Sequence, residues 1–316
     1  MNYDLIIPIY NVENELERCL HSILCQTYGN FRAVMVDDGS EDRSSVIARS
    51  YAARDSRFEY YRKENGGLSD ARNFGISKIS SEYVLFIDGD DFIEADALEI
   101  IDRELCKAAV DVLEFNGWFV ENGKKTGYIN TCYVDEGMIK SGKNYILDNI
   151  KKRGFLAAVF LKAVRSSLIL RHRLYFAKGL LHEDELWTPK LYFRAETVKY
   201  VDRRLYHYVQ RENSITHRRR KDENARHIKK ILYRLETYYQ SLGLTRCQYR
   251  ILSGYLSRQM ISACRLSENE KMTPRDRAFI LRNARDPVSI GKTLLFLTAP
   301  GHYDTLRKAA RWIIRY

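Results

Sequence analysis

Short apolar runs alternate with apolar positions at helical spacing along the first ninety residues. Tyr3 to Ile9 is apolar almost throughout and closes at the polar Asn11, the pattern of a buried strand running into a loop. Leu16, Leu20, Ile23 and Leu24 then predict a helix from about Glu13 to Cys25. Phe31 to Val36 is a second run, stopping at Asp37-Asp38-Gly39-Ser40, and Val46 to Ala53 reads as a helix. Phe58 to Tyr61 predicts a third strand, Ser69 to Ile79 a helix, and Tyr83 to Ile87 a fourth strand ending at Asp88-Gly89-Asp90-Asp91. Such alternation predicts right-handed crossovers and an α/β fold with a mostly parallel sheet flanked by helices. Asp111 to Tyr133 reads as strands and loops, and residues 142–170 as helical. Tyr175 to His182 is expected to be a loop entering an amphipathic helix from Glu183 to Arg194. Beyond Arg211 the pattern turns to basic helices, roughly Asn224 to Gln240, Gln248 to Arg265, Pro274 to Ala284 and Tyr303 to Ile314.

The chain has 316 residues, 45% hydrophobic and 29% charged with five prolines, so it is a folded protein with room for two units. The boundary is expected near residue 215. Charge divides there too: residues 1–210 hold 29 Lys and Arg against 32 Asp and Glu, a net of −3, and residues 211–316 hold 23 against 9, a net of +14. The C-terminal third is therefore expected to face something anionic, nucleic acid or a phospholipid surface. No apolar run approaches the ~18 residues of a membrane span, and the start has no secretory-signal pattern, so a cytoplasmic location is expected. Six scattered cysteines without a close pair read as reduced and mostly buried.

In a parallel sheet, ligands bind beyond the carboxyl ends of the strands, where every distinctive polar cluster of the first half falls. Asp88-Gly89-Asp90-Asp91 places three carboxylates in four residues; their mutual repulsion is usually relieved by a hard divalent cation, Mg²⁺ or Mn²⁺, whose shell is completed by water and phosphate. The bland alternative is a solvated turn with Asp91 as a helix N-cap. Asp37-Asp38-Gly39-Ser40 either turns the chain or offers a carboxylate to a pyrimidine or ribose. Asn65 to Asn73 is a Gly-rich turn entering a helix, where free backbone N–H groups and Arg72 can meet a phosphate, although it is neither a P-loop nor a dinucleotide fingerprint. His182-Glu183-Asp184-Glu185 lacks the second histidine of a zinc protease. Its acids are either the first turn of a helix or the source of a general base.

Taken in order, P-I-Y-N, V-D-D-G-S-E-D, E-N-G-G-L-S-D-A-R-N, F-I-D-G-D-D, G-L-L-H-E-D-E-L-W and Y-H-Y-V-Q-R-E-N-S-I-T resemble the inverting family 2 glycosyltransferases of the GT-A fold, above all bacterial members that build capsule, exopolysaccharide and lipopolysaccharide. The resemblance spans about residues 3–216. It implies a catalytic domain over residues 1–215, with a nucleotide-sugar half (1–91) and an acceptor half (92–215), followed by a basic helical region (216–316). It implies metal-dependent transfer of a hexose or N-acetylhexosamine from a UDP-sugar to a glycan hydroxyl.

By the same resemblance, Asp38 would hold the uracil ring beside Pro8, Tyr10 and Asn11. Arg72 would meet the diphosphate, within a nucleotide-sugar site that also takes in Gly67, Asn73 and Gly89. Asp90 would bind Mn²⁺ or Mg²⁺ directly, with Asp88 nearer the ribose. Asp184 matches the catalytic base and Glu183 would position it. His182, His207, Arg211, Ser214 and Thr216 match a lid or acceptor segment, in which Tyr208-Val209-Gln210-Arg211 departs from the more direct Tyr-Arg of many relatives. The acceptor is expected on a polyprenyl diphosphate at the inner face of the membrane. There the helix from Tyr303, with Leu306, Ala310, Ile313 and Ile314 on one face and Arg307, Lys308, Arg311 and Arg315 on the other, would lie on anionic lipid or else pack on the core. A nucleotidyltransferase would share the metal and nucleotide but lacks its Gly-rich loop here. A nucleic-acid binder would use the basic tail but lacks a recognisable motif.

Overall fold

The computed structural model describes residues 1–129, 134–152, 154–210, 221–267, 272–299 and 303. The chain divides into two compact units, residues 1–218 and 219–316.

The first unit opens β1 (Tyr3–Ile9), α1 (Glu13–Leu24), β2 (Phe31–Asp37), α2 (Ser44–Arg54), β3 (Phe58–Arg62), α3 (Leu68–Ile76) and β4 (Tyr83–Phe86). It continues with β5 (Phe92–Ile93), α4 (Ala97–Lys107), β6 (Val112–Glu121), β7 (Lys124–Ile129), β8 (Ile139–Lys140), α5 (Gly142–Lys152), β9 (Lys162–Arg165), α6 (Ser166–Arg171), α7 (Asp184–Arg194) and β10 (Val198–Val209). One sheet runs β3-β2-β1-β4-β9-β6-β10-β5, with β7 added to β6 and β8 to β10. The four strands from β3 to β4 are parallel, as their alternation with helices predicts. Past β4 the sheet is mixed, because β9 is antiparallel to both β4 and β6 while β10 runs parallel to β6.

All seven residues of β1 are buried, as a strand flanked by β2 and β4 and covered by helices requires. Its one charge, Asp4, is answered in full: Arg32 Nε donates at 2.9 Å, the Ser80 and Ser81 backbone N–H groups at 2.7 and 2.9 Å, and the Ser81 hydroxyl at 2.8 Å. One face of the sheet carries Leu5, Ile7, Leu85 and Leu113 into a core shared with Leu16, Leu20 and Ile23 of α1 and Leu98, Ile101 and Leu105 of α4.

Several expectations change. The helix expected over residues 142–170 stops at Lys152; β9 then inserts between β4 and β6, and α6 follows. Apolar runs such as Leu156 to Leu161 do not separate a buried strand from a buried helix, and here sheet pairing decides. The long strand β10 and the short β5 and β8 escape the pattern reading, as does α11 (Pro287–Thr298). Three of the five described cysteines, Cys25, Cys106 and Cys247, are exposed, against the expected burial, since they sit near helix ends on solvent faces.

The second unit contains α8 (Lys221–Ser241), α9 (Arg246–Leu266), α10 (Pro274–Asn283) and α11 (Pro287–Thr298). The last three begin on capping boxes that the sequence spells out, Thr245 with Gln248, Thr273 with Asp276 and Asp286 with Ser289. Inside it, Lys229 of α8 and Asp276 of α10 form a buried ion pair at 2.9 Å. Among the described residues no helix is long and apolar enough to cross a membrane. The helix expected over Tyr303 to Ile314 lies outside the described residues apart from Tyr303.

Candidate active site

The strand ends meet where the polar clusters fall. Asn11, just past β1, has φ 49° and is exposed. Its backbone N–H donates to the Ser40 hydroxyl at 3.2 Å, and its side-chain oxygen accepts from the Glu41 N–H at 2.9 Å. This stitches the loops after β1 and β2 together. Tyr10 stands beside it 48% exposed, available to stack on a planar group, while Pro8 is buried. Gly89 packs so closely on β1 that an added Cβ would lie 3.0 Å from the Pro8 carbonyl oxygen, which accounts for a glycine between the two aspartates.

Asp38 is 2% exposed and already occupied: Lys63 Nζ lies 2.5 Å from its carboxylate, and the Gly66 and Gly67 N–H groups donate at 3.0 and 2.7 Å. In this structure Asp38 thus shapes the Gly-rich turn, where Gly67 takes φ 85° before α3 begins. Asn73 of α3 is also inward-working, its side chain pairing with both the N–H and the carbonyl of Phe176 at 2.8 and 2.9 Å.

The three acids after β4 separate into two kinds. Asp88 and Asp90 are half-buried, whereas Asp91 is 1% exposed and accepts from the Tyr206 hydroxyl at 2.7 Å and the Val209 N–H at 2.8 Å. Burial, with Asp90 and Asp88 adding to it, pushes the Asp91 carboxyl well above its usual range. Asp91 is therefore not a helix cap; it locks the loop to β10. Asp88 and Asp90 remain as a pair of hard oxygen donors. Among the described residues no three His, Cys, Asp or Glu side chains form a metal cage, and none is needed for an ion that keeps water and phosphate in its shell.

Arg72 sits at the centre, 3% exposed. Its Nη2 lies 2.6 Å from Asp88 and its Nη1 2.5 Å from Glu183, the residue preceding α7. The guanidinium lies 5.3 Å from the centre of the Phe176 ring. Burial pushes the Glu183 carboxyl upward, opposed by Arg72 and reinforced by Asp184. Asp184, the first residue of α7, is half-buried and accepts the Glu185 N–H at 3.0 Å. His182, with φ 60°, has a buried Nε2 that makes no hydrogen bond. His207 of β10 is stacked on Phe92 at 4.1 Å with its Nε2 2.9 Å from Glu94; burial lowers its pKa and Glu94 opposes that. The structure thus brings the Asp88, Arg72 and Glu183-Asp184 positions together, while His207 is engaged by Phe92 and Glu94. Arg211, Ser214 and Thr216 lie outside the described residues. Tyr206 and Phe176 were not singled out from the sequence; nothing local marks them, because their roles come from contacts across the fold.

Residues 4–164 match the family described as Glycosyl transferase family 2. The chain belongs to glycosyl transferase family 2. Its relatives include EpsJ of Bacillus subtilis (strain 168), an uncharacterized glycosyltransferase 28% identical over 97% of this chain and 85% of its own. The glycosyltransferase GlyA of Streptococcus pneumoniae serotype 4 is 34% identical over 67% of this chain, which spans only 31% of that relative's length. Among solved structures, S. aureus TarS 1-349 in complex with UDP-GlcNAc aligns with a TM-score of 0.71 at 22% identity, over 90% of this chain and 80% of its own. That likeness fixes the GT-A fold. This family 2 glycosyltransferase therefore carries its acidic clusters on the strand ends of a GT-A sheet.

Proposed function

We propose that the chain transfers a hexose or N-acetylhexosamine from a UDP-sugar to a glycan hydroxyl with inversion at the anomeric carbon. The observation that carries this reading is the ionic bridge through Arg72, which joins the acidic loop after β4 to the start of α7 although the two are far apart in sequence. A donor held by Asp88 and Asp90 then has the Asp184 carboxylate on its flank. UDP as the nucleotide is supported by the TarS complexes with UDP-GlcNAc and UDP; a mannosyltransferase from Pyrobaculum calidifontis, aligned with a TM-score of 0.57, was solved with GDP-Man and Mn²⁺.

In this mechanism the acceptor oxygen attacks the anomeric carbon from the face opposite the diphosphate, and Asp184 takes its proton as the bond forms. The bond from that carbon to the diphosphate oxygen breaks with its electron pair, and UDP departs. Glu183, held by Arg72, fixes the first turn of α7 so that Asp184 meets the hydroxyl. Asp90 with Asp88 would hold Mn²⁺ or Mg²⁺, which when bound would supply positive charge against the leaving diphosphate. No enzyme nucleophile is needed for a single displacement. The lipid-linked acceptor and the anionic membrane surface belong to this reading through the +14 balance of residues 211–316. Salt-sensitive sedimentation with anionic vesicles checks that part, and equal sedimentation with neutral vesicles removes it.

The deciding experiment is a UDP-sugar screen by UDP release with Mn²⁺, run beside Asp184→Asn. That variant should lose about 10²-fold or more in turnover while UDP affinity holds. Near-normal turnover, or a product that retains configuration, removes Asp184 from the role. Release of a sugar 1-phosphate instead of UDP would make the protein a nucleotidyltransferase.

A further inference from the structure

We infer that Arg72 is a positioning residue that clamps Asp88 and Glu183 into one rigid unit, and not a ligand of the donor diphosphate. The inference rests on the reading of Asp88 as a donor-side group and of Asp184 as the base. Both terminal nitrogens of the guanidinium are committed to carboxylates from opposite sides, and the side chain is 3% exposed. Of the three N–H groups that remain, that of Nε is buried and makes no hydrogen bond. Phe176 lies against the guanidinium and extends the clamp. Its ring stacks on Trp187 of α7 at 4.8 Å and 9°, and meets Phe86 of β4 edge-on at 5.3 Å. Asn73, one position along α3 from Arg72, fixes the Phe176 backbone through both its N–H and its carbonyl. Three elements that approach the site separately, α3, β4 and α7, are joined at one Arg and one Phe.

A planar fork is suited to this work because it addresses two carboxylates in fixed directions at once, whereas a lysine ammonium offers a point charge without a plane. Removing the fork leaves Glu183 buried without its counter-charge and frees the first turn of α7 to shift. A misplacement of about 1 Å at a reacting group can cost on the order of 10²-fold in rate. Binding of UDP, which in this account does not touch Arg72, should change little.

The test uses the full chain and four variants: Arg72→Lys, Arg72→Gln, Glu183→Gln and the Arg72→Gln/Glu183→Gln double. Affinity for UDP with Mn²⁺ is measured by calorimetry, and kcat and KM by UDP release from the donor found in the screen, alongside melting temperatures. The expected result is UDP affinity within about 3-fold of the parent, kcat lower by about 10²-fold in Arg72→Gln, and a double variant no slower than its slower single, since paired residues are non-additive. Arg72→Lys should recover only part of the rate. Loss of UDP affinity by more than about 30-fold with kcat preserved at saturation would make Arg72 a diphosphate ligand, and additive losses would break the pair. If Arg72→Gln does not fold, the same split between UDP affinity and kcat is read in Arg72→Lys. The two readings fail separately. Full turnover in Asp184→Asn overturns the base, while the coupling between Arg72 and Glu183 is scored without reference to it.

Discussion

The carboxylates at the strand and helix ends differ in burial, Asp88, Asp90 and Asp184 being half-buried and Asp38 and Asp91 buried. Asp88, Asp90 and Asp184 stand out in the sequence because acids at strand and helix ends have few structural reasons to cluster, and the structure leaves all three half-buried at those ends. Asp91 and Asp38 carry the same chemical signal, yet both are turned inward to donors supplied by residues 206 and 209 or 63, 66 and 67. No local pattern distinguishes an acid facing a ligand from one tying a loop, because the distinction lies in who arrives from elsewhere. Tyr206 makes this testable. Its hydroxyl donates to Asp91 and accepts the Asp88 N–H at 3.2 Å, while its ring stacks on Phe160 at 4.5 Å. Tyr206→Phe keeps the stack and removes both hydrogen bonds. It should lower stability by about 1–3 kcal/mol, as expected when buried groups lose their partners, and weaken UDP binding in the presence of Mn²⁺. Urea unfolding and calorimetry check the two effects, and unchanged values in both would take Tyr206 out of the loop's support.

At the scale of elements, the first seven alternating segments are legible because β1, β2 and β4 are almost wholly buried and α1 carries a clear apolar stripe. The second half is legible only in part: β6 and β7 fall in the stretch expected to hold strands and α7 on the expected helix, whereas β9 reads Lys162-Ala163-Val164-Arg165, a segment with no alternation, and becomes a strand because β4 and β6 present edges on either side. Capping boxes open α9, α10 and α11, and α10 adds a prediction. Asp276 both caps its own helix and pairs with buried Lys229, and it also accepts from the Tyr233 hydroxyl at 2.9 Å. Burial raises its carboxyl, but Lys229, the Thr273 N–H and the hydroxyls of Tyr233 and Thr273 together hold it below the usual carboxylate range. Its stabilising contribution is therefore complete above the unfolded carboxyl value of about 3.9 and disappears as pH falls through the lower, folded value. Asp276→Asn should cost about 3 kcal/mol near neutrality, because Lys229 is left buried without a counter-charge. Hydrogen exchange resolved to α8 and α10 should show the loss, and the parent should approach the variant on acidification. A constant gap down to strongly acidic pH would contradict this account.

For the molecule as a whole, the sheet is closed late. β10 lies between β6 and β5 and is the element that delivers Tyr206 and Val209 to Asp91, more than a hundred residues upstream. The parallel half built by residues 3–86 can find its local partners early, whereas its acidic loop waits for the last strand of the unit. A chain ending at residue 197 should therefore collapse around β1 to β4 yet bind UDP with Mn²⁺ far more weakly than one ending at residue 218, by about 10-fold or more, since long-range pairings are formed last and at the greatest entropic cost. Equal affinity in the two fragments would show that the loop is set without β10. During ribosomal synthesis at roughly 5–20 residues per second, the interval between the emergence of Asp91 and that of Val209 amounts to several seconds. For that time the nascent chain carries an acidic loop whose Asp91 has not yet met its β10 partners, so the order of translation sets the order in which the site is assembled.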